Sequence, residues 1–181
     1  IVEIKESIAS LNAIRIEQTE TQIKVSNKNP KGNTTTIVFE PFGVNNLWQI
    51  KEIIIEDPDG NILVQTSTST DSVGPYQVGA VNNADGDNIG TAVADFTGGC
   101  HGYNGDQTGS ATASSSVKVN SLNGILDVVV TNRIQGYNTR KANGTGREII
   151  VEEVHYVFES GVDGFKVNNF IKALEEVTIK L

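Results

Sequence analysis

Arg147-Glu148-Ile149-Ile150-Val151-Glu152-Glu153-Val154-His155-Tyr156-Val157-Phe158-Glu159 is the stretch that decides the fold class. Side chains on a strand alternate between two faces. Alternation here puts Ile150, Val154, Tyr156 and Phe158 on one face. Arg147, Ile149, Val151, Glu153, His155, Val157 and Glu159 fall on the other. β-Branched and aromatic residues at period two read as a half-buried strand, with the first set as core. The run from Ile125 to Ile134 has the same period and puts Leu126, Val128, Val130 and Ile134 together. The segment between the two runs, residues 136–146, is polar and rich in Gly and Asn, so the pair reads as a long hairpin.

Moving toward the N-terminus, Ile14 and Ile16 alternate with polar residues, as do Ile23 and Val25, with Thr19-Glu20-Thr21 as a turn between them. Asn29-Pro30-Lys31-Gly32-Asn33 is a turn by composition, and Thr35 to Glu40 is the next strand. Glu52 to Glu56 and Asn61 to Thr66 flank Asp57-Pro58-Asp59-Gly60, which is hairpin chemistry. Shorter strands are expected near Thr91 to Phe96 and Ala111 to Val119, and a last one over Val177 to Leu181, at a sheet edge or exchanged between protomers. Short strands separated by such turns predict an all-β chain, an antiparallel sandwich or jelly roll. At the start, Ile1, Ile4, Ile8 and Leu11 follow 3-4-3 spacing, the a/d pattern of a coiled coil; an amphipathic helix packed on the domain has the same spacing. The expected organisation is the end of a helical stem over residues 1–12 and one β-sandwich domain over 13–181. No methionine occurs anywhere, position 1 included, and the chain is expected to be a piece of a longer one.

The formal charge of −8 argues against a general nucleic-acid binder, which needs a basic footprint. No Lys or Arg lies between Glu52 and Val117, whereas Arg133, Arg140, Lys141 and Arg147 cluster around the expected hairpin tip. Such a patch suits an anionic ligand; a solvated tip has the same composition. One cysteine excludes an intramolecular disulfide. No run of eighteen apolar residues is present, so no membrane-inserting helix is expected. No standard metal-ligand spacing occurs, and no cofactor or metal is expected.

The candidate chemistry centres on Asp95-Phe96-Thr97-Gly98-Gly99-Cys100-His101-Gly102-Tyr103-Asn104-Gly105, which holds one of the two histidines. Glycines let a backbone approach a ligand closely. A histidine near its ordinary pKa serves as acid or base at neutral pH. With Tyr103 as proton donor, and Arg133 and His155 assisting, His101 has the parts needed to eliminate across a uronic-acid glycosidic bond. Asn104 would meet the sugar carboxylate, with Arg140 and Lys141 as cationic ligands and the rings of Trp48 and Tyr137 stacking on sugar. Bracing of the loop by His101 through backbone hydrogen bonds is the structural alternative. Glu152, Glu153 and Glu159 raise the question of a glycoside hydrolase, but Glu153 and Glu159 lie about 20 Å apart on one strand, too far for a catalytic pair.

Phe96-Thr97-Gly98-Gly99-Cys100-His101-Gly102, with the downstream His155-Tyr156 strand, resembles segments of phage and prophage tail-fibre or tail-spike proteins. The heptad-like start and the Thr/Ser/Asn/Gly-rich β domain share that style. The resemblance implies a homotrimer on the virion tail, outside the cell, that recognises a bacterial surface polysaccharide. Some relatives cleave the glycan, but no parallel β-helix repeats of the kind common in such spikes occur here. Three functions therefore compete: recognition of a surface polysaccharide, a polysaccharide lyase using His101 and Tyr103, and a structural trimerisation module.

Overall fold

The computed structural model describes residues 13–42, 47–67, 78–82, 95–97, 112–135, 148–175 and 178–180. The expected stem over residues 1–12 lies outside them, as does the glycine-rich loop from Gly98 to Gly109.

All regular structure among the described residues is β. The strands are β1 Ile14–Gln18, β2 Ile23–Lys28, β3 Thr34–Phe42, β4 Leu47–Glu56, β5 Ile62–Ser67, β6 Val78–Asn82, β7 Asp95–Thr97, β8 Thr112–Leu122, β9 Ile125–Gln135, β10 Glu148–Glu159, β11 Lys166–Ala173 and β12 Thr178–Lys180. Strands β1 to β5 form one antiparallel sheet in consecutive order, and β11-β10-β9-β8 form a second. The expected sandwich is present. Consecutive order makes it a pair of meanders, without the alternation between sheets of a jelly roll. A small third sheet has the order β12-β6-β7, and the C-terminal strand β12 lies at its edge.

One core fills the space between the two large sheets. It takes Ile14, Ile23, Val25, Ile37, Phe39 and Ile50 from the first sheet and Leu126, Val128, Val130, Val154, Tyr156 and Phe158 from the second. Phe39 crosses between them, edge-on to Tyr156 at 5.0 Å and to Phe158 at 6.5 Å between ring centroids. Phe165, in the β10–β11 turn, packs on both rings from the side. The two edge-to-face contacts of Phe39 contribute about 1 kcal/mol each beyond area burial.

Turn chemistry fixes the register. Asp57 Oδ1 accepts from the backbone N–H of Asp59 and of Asn61, and Asp57 Oδ2 accepts from Asn61 Nδ2 at 2.8 Å. The amide of Asn61 is the first cause holding the Asp57 carboxyl below its ordinary value. Asn123 and Gly124, both with positive φ, close a two-residue hairpin that sets Leu122 opposite Ile125.

Polar side chains also join the sheets at one end. Asn27, buried on β2, donates through Nδ2 to the carbonyl oxygens of Glu159 and Val162, both at 2.8 Å, and accepts at Oδ1 from the N–H of Gly161. Asn29 donates to Asp163, and Ser160 Oγ accepts from the N–H of Ala13. This amide clasp aligns β2 with the β10–β11 turn. Asn27→Ala would leave the Val162 carbonyl and the Gly161 N–H in that turn without the amide, and the Glu159 carbonyl with only the N–H of Val162. Chemical denaturation should show a loss of roughly 2–4 kcal/mol. A loss below about 0.5 kcal/mol would mean that water replaces the amide without cost.

Candidate functional site

The outer face of the β8–β11 sheet carries the candidate site. Register defines its membership. Val129 lies opposite His155, and His155 opposite Asn168. One step along, Thr131 lies opposite Glu153, and Glu153 opposite Phe170. Asp127 lies opposite Val157, diagonal to His155.

His155 is held from both sides. Its Nδ1 lies 2.7 Å from Asp127 Oδ2 and its Nε2 2.8 Å from Glu153 Oε1. In the protonated ring both N–H groups donate to carboxylates. Burial pulls the imidazole pKa down, but the hydrogen bonds and negative charges of Asp127 and Glu153 outweigh it and raise the value above the ordinary 6.5. Phe170 packs edge-on against the same imidazole, with centroids 5.3 Å apart and planes at 80°. The Phe170 side chain is 59% exposed although large and apolar.

Of the residues singled out from sequence, His155 and Arg133 share this face but do not meet. Arg133 lies opposite Val151, four residues from the level of His155, about 13 Å along the strand. Its guanidinium pairs with Glu148 at 2.8 Å. Trp48, expected to stack on sugar, lies within β4; its half-buried ring packs against the core, and its backbone N–H donates to Ser115 Oγ at 3.0 Å. His101, Tyr103, Asn104, Tyr137, Arg140 and Lys141 lie outside the described residues.

Glu152 faces the opposite way from Glu153 and is fully buried. Asn132 Nδ2 donates to Glu152 Oε2 at 3.0 Å, and Asn169 Nδ2 donates to Oε1 at 2.8 Å. Ser115 Oγ in turn donates to Asn132 Oδ1 at 2.8 Å. The chain of contacts runs from β4 through β8, β9 and β10 to β11, which makes Glu152 an internal tie between strands.

Sequence reasoning did not find Phe170, Asp127 or the inward turn of Glu152. Alternation carries the facing of two of them, Glu152 two residues before Val154 on the core face and Phe170 alternating with Asn168 and Lys172 on the polar face of a short strand, but not their partners. The other sheet carries an open depression of about 310 Å3, lined by Gln22, Lys24, Val38, Glu40, Lys51, Glu52 and Ile54. Among the described residues no group of three or more His, Cys, Asp or Glu side chains is placed to hold a metal ion. No family model matches the chain, and no curated protein or solved structure does either.

The raised pKa of His155 has a definite sign in stability. Its contribution is complete below the unfolded value near 6.5 and is lost as pH rises through the folded value. Asp127→Asn removes one of the two charges. In an NMR titration the His155 pKa should fall in this variant. The stability difference from wild type should be largest on the acid side of 6.5 and should shrink above the folded pKa. An unchanged histidine titration would exclude the charge of Asp127 as a cause.

Proposed function

We propose that this domain recognises a bacterial surface polysaccharide, as a phage-type tail appendage does, with the outer face of the β8–β11 sheet as the contact surface. The observation that carries this reading is the exposed ring of Phe170, braced by a fixed imidazole and bordered by polar side chains. A fixed aromatic ring offers an apolar face for the C–H face of a sugar at low entropic cost. Asn168 and Ser116 are exposed, and Thr131 is half-buried; all three face the same side and supply amide and hydroxyl groups for sugar hydroxyls. The homotrimer and the virion-tail setting belong to the same proposal and rest on the heptad spacing from Ile1 to Leu11 and on the tail-fibre resemblance.

Two features favour binding over catalysis on this face. Both nitrogens of His155 are engaged by carboxylates, so neither is free to take a substrate proton. Asp127 and Glu153 flank the imidazole itself, so its ring occupies the gap where a scissile bond would have to sit between two carboxylates. The lyase alternative depends on His101 and Tyr103.

Isothermal titration of purified surface polysaccharide into wild type and Phe170→Ala tests the reading. Binding should weaken about tenfold, the equivalent of about 1.4 kcal/mol. The melting temperature should hold, because the ring contributes little to the core. Equal affinity in the two proteins would remove this face as the sugar site.

A further inference from the structure

We infer that the polysaccharide taken by this face is anionic and lies along β11, its acidic groups meeting Lys166 and Lys172 on either side of Phe170. This deepens the binding reading above and rests on it.

The outer face of β11 reads Lys166, Asn168, Phe170, Lys172, one residue in two. At strand rise the two lysines are about 20 Å apart, with the amide and the aromatic ring between them. That is a strip long enough for several sugar units, with a charge at each end and a stacking ring inside. Lys118 lies on the same face, in the row Lys118–Val129–His155–Asn168, about 14 Å across the sheet from Asn168.

Charge pairing singles these lysines out. The acids around Phe170 are already engaged: Asp127 and Glu153 by His155, and Glu148 by Arg133. Glu159, another acid of this face, lines the same small depression as Lys166 at the β10–β11 turn, with Asp163. Lys118, Lys166 and Lys172 are exposed and make no ion pair among the described residues. On a chain of net charge −8 this face therefore carries three lysines that no carboxylate pairs among the described residues, alongside Glu159 and the two carboxylates that share one imidazole. Lysine on an edge strand also discourages pairing with other strands. That role does not account for Phe170, an exposed apolar ring between the lysines that invites the contact a gatekeeper prevents. A sugar with an apolar face and an acidic substituent accounts for both. In its protonated form His155 offsets one of the two carboxylate charges of Asp127 and Glu153, and the pair then repels an anionic ligand less.

Binding of alginate, polygalacturonate and hyaluronan should be compared with dextran and mannan, and with polyglutamate as an acidic polymer that is not a sugar. Proteins would be wild type, Lys166→Glu/Lys172→Glu and Phe170→Ala, each checked for fold by circular dichroism. At least one acidic glycan should bind better than the neutral ones. Its affinity should drop roughly tenfold between 0.05 and 0.5 M salt. The double charge reversal should weaken it at least tenfold, and Phe170→Ala should weaken it too. Neutral glycans binding as well as acidic ones, with the lysine variant unaffected, would overturn the anionic ligand and leave glycan recognition standing. Polyglutamate binding as tightly as the best glycan would overturn both. So would the absence of binding to every glycan by folded protein.

Discussion

Alternation along β10 is the constraint on which both the core and the site depend. Successive side chains of a strand point to opposite faces, so one run of residues must satisfy two environments at once. Inward, Val154, Tyr156 and Phe158 fill the space between the sheets. Outward, Glu153 and His155 stand on the polar surface with Asp127 and Phe170. A slip of one residue against β9 would bury the imidazole pair and expose the aromatic core. Register is therefore specified from both sides, and the Asn123-Gly124 hairpin on β8–β9 and the amide clasp of Asn27 hold it at the same end of the sheet.

The first sheet is the support on which the outer face is held. Phe39 meets Tyr156 and Phe158 across the sandwich, so β10 is packed directly beneath the site residues that it carries. Glu152 adds a polar tie in the same layer. A buried carboxylate loses its hydration, and its attraction to neutral amides offsets that only when geometry is good. The donors from Asn132 and Asn169 come from the strands on either side of β10, so both bonds form only when β9, β10 and β11 are in register. It acts as a test of alignment as much as a source of stability, which fits the use of buried polar groups for specificity. Holding β11 this way fixes where Asn168 and Phe170 stand on the other side.

Much of the sandwich was legible in the chain because its strongest signals are local. The Asp57-Pro58-Asp59-Gly60 hairpin, the Asn29 to Asn33 turn and the core faces of β9 and β10 follow from turn chemistry and period two. Strand β11 escaped notice because Lys166-Val167-Asn168-Asn169-Phe170 has low apolar content, and its inward Asn169 is there to reach Glu152 rather than to fill space. The start of β4 escaped for a related reason: Trp48 and Gln49 carry no alternation until Ile50. The site was half legible. His155 and its outward direction came from the pattern. Its partners did not, because Asp127 is reached across the sheet and Phe170 across the next strand, and pairing of that kind is set by register. Composition pointed to the glycine-rich loop, whereas the described chemistry lies on rigid strands.

Glu152 and Glu153 show how far placement decides chemistry. They are adjacent in sequence and chemically identical. One is sealed among amides in the interior; the other stands in solvent against an imidazole. A hydrolase needs two carboxylates on one face with the substrate between them. Alternation sends this pair to opposite faces, and the two acids that do share a face, Asp127 and Glu153, have His155 between them. What remains on that surface is a set of fixed dipoles, a braced ring and lysines that no neighbouring carboxylate neutralises. Groups already hydrogen-bonded to one another hold a surface in one shape without an ordering cost when a ligand arrives. Rigid strands suit that task. The physical chemistry of the face thus suits the proposed recognition of an extended polymer lying along β11.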